Sequence, residues 1–182
     1  MPDKIKLGVG LFLLSEANCF LILLIVYIYF HSMHSDEPSA AGDLSRLRTL
    51  AFSSCLFLSS ATIYLAARSF KMKQELRVSL WLSFTIALGS AFLFGQWGES
   101  VRLFSRDITI SSSLFGSTFF ALTGFHGLHV VVGLCALGVL FVLAVSGRIG
   151  RVMPSGFEAL SMYWHFVVAL WLVMFAVLCL WP

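Results

Sequence analysis

The sequence predicts an all-α membrane protein, a polytopic bundle of five transmembrane helices. Of its 182 residues, 59% are hydrophobic and only 12% are charged, and the mean hydropathy is +0.92. A soluble globular domain of this length carries far more charge. A helix that crosses a bilayer needs about 20 mostly apolar residues, and five runs meet this requirement: residues 7–30, 47–67, 78–97, 114–145 and 157–181.

Each run is typical of a helix that stays in the membrane. The runs are continuous and rich in Leu, Phe, Val and Ala, whereas the strands of an outer-membrane barrel alternate in polarity. The first run could be taken for a signal peptide, but it is long, carries Glu16 in its middle and lacks a small-residue cleavage site. The connections are short and contain no repeat, so residues 1–182 are predicted to form a single membrane domain.

The distribution of Lys and Arg predicts the orientation, since basic residues are retained on the cytoplasmic side. Eight basic residues fall on the side of the amino terminus and four on the other. The amino terminus is therefore predicted to be cytoplasmic and the carboxy terminus to face outward. The basic residues are scattered over several loops, so the net charge of +3 does not indicate a nucleic-acid partner. The two sets are Lys4, Lys6, Arg68, Lys71, Lys73, Arg77, Arg148 and Arg151, against Arg46, Arg48, Arg102 and Arg106.

Each of the four cysteines lies in a predicted span, and no two of them form a C-x-x-C pair. Isolated cysteines in apolar surroundings behave as small hydrophobic residues, and a thiolate metal site needs at least a close pair. The pattern predicts packing roles without disulfides. The residues are Cys19, Cys55, Cys135 and Cys179.

Four titratable groups are predicted near the middle of the membrane: Glu16 in the first span, His126 and His129 in the fourth, and His165 in the last. Polar groups at this depth face a bundle interior and need partners. Three interpretations stay open. The groups form structural hydrogen bonds between helices, they hold or conduct protons near neutral pH, or the two His at i and i+3 bind zinc or copper with Glu16 or His165.

Glycines around the His pair favour packing over a ligand cage. Gly124, Gly127 and Gly133 are suited to close approach of helices, so no metal site is predicted in this chain. The sequence also has no phosphate-binding loop, no nucleophile elbow and no C-x-x-C-H motif for covalent heme. The chain by itself is predicted to have no catalytic residues.

A second group of residues is predicted to contact lipid, the interface or a partner. Gln96 and Glu99 close the third span, and Arg148 and Arg151 lie before the last span, where they either hold anionic headgroups or fix the topology. Within the last span, three aromatic side chains are candidates for a lipid groove, and one carboxylate is a candidate for a contact with lipid or with a partner. These last residues are Tyr163, Trp164, Trp171 and Glu158.

Several separated motifs resemble one family. Residues 115–130, with Phe125-His126-Gly127-Leu128-His129 inside them, and residues 156–167, with Tyr163-Trp164-His165-Phe166-Val167, stand in the order and spacing of two blocks of subunit III of the heme-copper respiratory oxidases. The first span resembles the family's helix with a membrane-buried glutamate, at Glu16. Gln96 and Glu99 also match the family's pattern, so the resemblance covers nearly the whole chain.

The resemblance implies a core subunit of a terminal oxidase complex that reduces oxygen to water and pumps protons. In that family subunit III carries no heme or copper, which belong to the partner subunits. It packs on subunit I, in a complex that also contains subunit II, binds phospholipid, and supports proton uptake and oxygen access. The five-helix form is similar to subunits of bacterial cytochrome c and quinol oxidases, which implies a bacterial inner membrane.

Two departures from the family pattern keep other functions in view. The mitochondrial type has two additional helices at its start, and Val168 stands where the family usually has Asp. An accessory protein of a nitric oxide reductase has the same architecture and is the first alternative. A small proton-coupled or metal transporter is the second, although the odd helix number and the lack of an inverted repeat argue against it.

Overall fold

The computed structural model describes residues 4–33, 46–104 and 114–180. Five long helices are found there: α1 (Lys4–Met33), α2 (Arg46–Lys71), α3 (Glu75–Phe104), α4 (Leu114–Val145) and α5 (Pro154–Phe175). A 3-10 turn at Ile149–Arg151 precedes α5 and a π-helical turn at Ala176–Leu180 follows it. All five long helices have the length and apolarity of membrane spans, which confirms the predicted all-α polytopic bundle.

Helices α1, α2 and α3 extend beyond the predicted apolar runs at both ends, whereas α4 has the predicted bounds. The third span was predicted to end at Trp97, yet α3 continues to Phe104 and includes Arg102. Arg106, which was counted in the orientation, lies outside the described residues. The difference arises because hydropathy detects the hydrocarbon part of a helix, whereas backbone hydrogen bonding continues into the headgroup region.

Two helices end in the same way at the end of the bundle where the amino terminus lies. Gly147 follows α4 with φ +64°, and Lys73 follows α2 with φ +56°. After each, a backbone N–H reaches five residues back, from Arg148 to the Leu143 carbonyl at 2.9 Å and from Gln74 to Ser69 at 3.1 Å. This left-handed cap satisfies carbonyls at the helix end and reverses the chain within a few residues.

Trp164 of α5 lies at the centre of the bundle. Its indole is fully buried, and a Cβ on Gly89 of α3 or Gly133 of α4 would come within 2.9 Å or 2.8 Å of its ring. The ring therefore fills space that only glycine leaves open on two neighbouring helices. Its Nε1–H donates a 3.0 Å hydrogen bond to Ser59 Oγ of α2. The suggestion that Trp164 shapes a lipid groove does not fit this position, because its whole surface is used inside the protein.

Two of the three glycines near the His pair do not have the predicted role. A Cβ on Gly124 would meet nothing within 4 Å, and one on Gly127 would only just reach the Gln96 amide at 3.9 Å. Only Gly133 is in close contact with another helix. Gly89 and Gly95, which were not predicted to have a packing role, are also in close contact with another helix, against Trp164 and Phe52 respectively.

Candidate functional site: a carboxyl and imidazole pair between two helices

Glu16 and His129 meet between α1 and α4. The Glu16 Oε2 atom lies 3.1 Å from His129 Nε2. The imidazole is mostly buried, with 9% of its side chain exposed, and the carboxyl is more open at 21%. The sequence predicts that Glu16 and three histidines lie at a similar depth in the membrane, and the structure pairs Glu16 with His129.

The second ring nitrogen of His129, Nδ1, carries a hydrogen. Its Nδ1 atom lies 2.8 Å from the Phe125 carbonyl oxygen, and a carbonyl can only accept, so Nδ1 carries a hydrogen. The 3.1 Å contact at Nε2 then holds one further proton, either on the carboxyl or on the ring. The geometry is thus that of a hydrogen bond between Oε2 and Nε2.

Aromatic side chains and a third helix hold this pair in place. The rings of Phe20 and Phe125 stand edge-on to the His129 ring, with centroids 5.2 Å and 4.8 Å away. Tyr163 of α5 donates its hydroxyl to the His129 carbonyl at 2.9 Å. Tyr163, which had been assigned to a lipid groove, therefore ties α5 to the turn of α4 that carries the imidazole. A restricted, apolar surrounding of this kind strengthens a polar contact.

His126 does not join the pair. Its ring is fully buried, stacked on Trp171 with a centroid distance of 5.1 Å and an interplanar angle of 26°. Phe92 stands edge-on at 5.9 Å, and Phe20 lies edge-on to both His126 and His129. The two imidazoles of α4, three residues apart, thus face different surroundings.

His165 is also separate from Glu16. Its Nδ1 atom forms a 2.7 Å hydrogen bond with Ser60 Oγ of α2. Sequence reasoning missed this partner and its neighbours, since serines in an apolar span were not examined. Ser59 accepts from Trp164, and Ser53 accepts from Trp171 Nε1 at 2.9 Å. The serines of the second span were the sequence feature that could have indicated these hydrogen bonds.

No group of three His, Cys, Asp or Glu that could hold a metal ion is found within residues 4–33, 46–104 and 114–180. A chelate formed by His126 and His129 would need both rings to face the same metal ion. Instead, His126 stacks on Trp171, and His129 contacts Glu16. Cys19, Cys55 and Cys135 are unpaired thiols, and the side chain of Cys179 lies outside the described residues.

Gln96 and Glu99 point into the bundle. Gln96 donates through Nε2 to the Thr123 carbonyl of α4 at 2.8 Å. Glu99 is 9% exposed and its Oε1 lies 3.1 Å from Arg102 Nη1. Both residues close the outward half of the bundle, under the predicted orientation.

Glu158 connects three helices at the opposite end. Its carboxylate forms salt bridges with Lys6 of α1 and, at 2.8 Å, with Lys71 of α2. The start of α1, the end of α2 and the start of α5 therefore lie together, as five antiparallel crossings require. Arg148 and Arg151 are exposed at the same end, around the turn between α4 and α5.

These features define a class: a multi-pass helical membrane protein whose interior holds a carboxylate–imidazole pair between its first and fourth helices. The profile of the family described as cytochrome c oxidase subunit III matches residues 1–182. The chain belongs to the cytochrome c oxidase subunit III family. It is a subunit III of a heme-copper oxidase and hence a component of a terminal oxidase complex.

Named relatives agree with this assignment. Cytochrome c oxidase subunit 3 of Synechocystis sp. is 35% identical over 96% of this chain and 74% of its own length. The protein of that name from Thermostichus vulcanus is 30% identical over 97% of this chain and 87% of its own length. The probable cytochrome c oxidase subunit 3 of Mycobacterium leprae is 28% identical over 97% and 88%. The nitric oxide reductase alternative is not favoured by these matches.

Proposed function

We propose that this chain is the non-catalytic subunit III of a proton-translocating oxidase that reduces oxygen to water, with heme and copper in its partners. The observation that carries the proposal is the Glu16–His129 contact at 3.1 Å. A proton shared between a carboxyl and an imidazole suits a subunit that buffers or relays protons beside a catalytic subunit. The same contact also holds α1 against α4, so it serves both stability and proton uptake.

The exposed apolar surface supports assembly with partners. In the most apolar 18-residue window of α1, only 11% of the residues are buried in the chain's own bundle. We place subunit I and subunit II as the partners, and phospholipid on the surface they leave open. Arg148 and Arg151 are exposed where a headgroup would lie, and Tyr163 and Glu158 belong to the adjoining seam between α5 and its neighbours. Oxygen access through the complex is part of the same role.

The location follows from the family and the charge pattern. We place residues 1–182 as one membrane domain in a bacterial cytoplasmic membrane, with the amino terminus inside and the carboxy terminus outside. The salt bridges of Glu158 support a common side for Lys6 and Lys71, which the excess of basic residues assigns to the cytoplasm. Labelling of single cysteines placed near Arg148 and near Arg48 in intact cells tests this orientation.

The first experiment is purification of the tagged chain from its native membrane in mild detergent. We expect heme absorption bands, co-purifying oxidase subunits by mass spectrometry, and oxygen reduction driven by cytochrome c or quinol, whichever is the donor. A colourless, solitary protein would overturn the proposal.

The second experiment compares Glu16→Gln with Glu158→Gln in that complex. Both remove one carboxyl group, but of the two only Glu16 forms a hydrogen bond with an imidazole. We expect both variants to begin oxygen reduction at nearly the wild-type rate, and Glu16→Gln to lose activity sooner during turnover. Loss of the heme signal in an assembled Glu16→Gln complex would contradict a non-catalytic role.

A further inference from the structure

His165 is partly exposed at the surface of the bundle, near the middle of the last span. This span runs from Pro154 to Leu178, and at 1.5 Å per residue His165 lies about 16 Å from its start and about 20 Å from its end. The ring is neither fully buried nor fully exposed. Because the hydrocarbon core is about 30 Å thick, the imidazole lies near its centre, where the surroundings offer no water.

Only one of the two ring nitrogens of His165 has a hydrogen-bonding partner within the described ranges. Nδ1 lies 2.7 Å from Ser60 Oγ of α2. Nε2 forms no hydrogen bond there and, unlike both ring nitrogens of His126, is not enclosed by the protein. A polar group without a partner in hydrocarbon costs free energy. A group outside the described bundle is therefore needed to complete the hydrogen bonding of this imidazole.

The hydrogen bonds of the α2 serines indicate which nitrogen of His165 carries the hydrogen. Ser54 and Ser59 donate their hydroxyls to the carbonyl three residues earlier, each at 2.6 Å, whereas the hydrogen bond of Ser60 goes to the imidazole instead. The Ser60 hydroxyl thus donates to Nδ1. A neutral imidazole that accepts at Nδ1 carries its hydrogen on Nε2. The missing partner of Nε2 is therefore a hydrogen-bond acceptor.

His165 belongs to an exposed face of α5. Met162 and Ala169, three residues before and four residues after it, lie on the same side of the helix, and both are exposed. This face lies between α1 and α2, since Glu158, one turn before Met162, forms salt bridges with lysines of both helices. A polar residue next to a small one is typical of surfaces on which transmembrane helices pack.

We propose that this face of α5, defined by Met162, His165 and Ala169, docks a transmembrane helix of subunit I that accepts a hydrogen bond from His165 Nε2. The inference rests on the proposed function, which places this chain beside subunit I. Lipid does not suit the position, because acyl chains have no acceptor, and the ester and headgroup oxygens lie at the edges of the hydrocarbon core. A side chain of another membrane span can present an acceptor at this depth.

The test is photo-crosslinking in the assembled oxidase complex. The photoreactive residue p-benzoyl-phenylalanine replaces Met162 on the docking face or, as a control, Phe94, which is 78% exposed on α3. We expect a several-fold higher yield of adducts with subunit I from position 162 than from position 94. We also expect the cross-linked peptide of subunit I to carry a polar side chain within one helical turn of the attachment point.

Three results would overturn the docking proposal while leaving the proposed function intact. In a heme-containing complex, these are equal yields from positions 162 and 94, adducts with lipid alone from position 162, or a cross-linked peptide without a polar side chain. A chain that purifies without any oxidase subunit would instead refute the proposed function and the docking proposal together.

Variants of His165 test the hydrogen bond itself. His165→Gln keeps an N–H donor on a side chain of similar reach, whereas His165→Leu keeps only an apolar side chain. With the crosslinker at position 162, we expect the yield with subunit I to fall several-fold in His165→Leu and to stay close to wild type in His165→Gln. Ser60→Ala is the control for the contact inside this chain, and it should change the yield little.

An unchanged yield in His165→Leu, or an equal loss in Ser60→Ala, would overturn the role of Nε2. If His165→Leu is not incorporated into the complex, the comparison of positions 162 and 94 with His165 in place decides the proposal.

Discussion

The first and last long helices, α1 and α5, are attached to the bundle by different means. In an apolar 18-residue window of the first span only 11% of the residues are buried, whereas in such a window of the last span, Pro154–Leu178, 39% are buried. Two polar contacts, from Glu16 to His129 and from Lys6 to Glu158, join α1 to its neighbours. In contrast, α5 places large aromatic rings between the other helices. Buried volume therefore has the larger share in the position of α5, whose tryptophans also donate hydrogen bonds to serines of α2. In α1, where few side chains are buried, the polar pairs have the larger share.

The largest loss of stability is expected from Trp164→Ala. Removal of a fully buried indole that fills the space between Gly89 and Gly133 leaves a cavity, and such truncations cost about 3 to 5 kcal/mol. We expect most of the subunit to be lost from the complex after mild heating, measured by size-exclusion chromatography and subunit quantification. Retention equal to wild type would show that α5 is not held by packing.

A smaller effect is expected from adding volume at the same place. Gly133→Leu forces its side chain into the Trp164 ring, and overpacking of this kind costs about 1 to 3 kcal/mol. Gly138→Leu is the matched control on α4, since a Cβ there meets nothing within 4 Å. Heat retention should fall for Gly133→Leu alone. A similar loss in both variants would mean that leucine disturbs the membrane span for another reason.

The attachment of α1 predicts an intermediate effect that depends on chemistry. Glu16→Ala leaves His129 Nε2 without its partner, and interhelical hydrogen bonds in membranes are worth about 1 kcal/mol. Glu16→Gln preserves a hydrogen-bonding group, so it should retain more of the subunit than Glu16→Ala in the same heating assay. If the two variants were equally unstable, charge or proton sharing would matter more than the hydrogen bond.

The smallest effect is expected at the end of the bundle. Lys6→Gln removes one of two lysines that pair with Glu158, while Lys71 remains at 2.8 Å. Exposed ion pairs contribute about 0 to 1 kcal/mol, and salt screens them. The heating assay should show a small loss for Lys6→Gln in low salt that disappears in high salt. A large, salt-independent loss would place this contact in a drier environment.

Much of the fold could be predicted because hydropathy depends only on local sequence. The five spans and the depth of Glu16 follow from positions along the chain. The partners within the site could not be predicted, because depth defines a level in the membrane but not the direction in which a side chain points. Glu16 therefore had three candidate imidazoles, and the structure pairs it with His129. His165 faces Ser60 of another helix, a choice that only the packing of α2 against α5 determines.

The contact between Glu16 and His129 also has a consequence for biogenesis. The two residues are 113 positions apart, and the principal neighbours of α1 are α4 and α5, which are synthesised after α2 and α3. At about 5 to 20 residues per second, the ribosome needs roughly 6 to 23 s to make the chain between them. Helix α1 is thus made well before the helices on which it docks, and during this interval its carboxyl group has to be accommodated by the insertion machinery or by lipid.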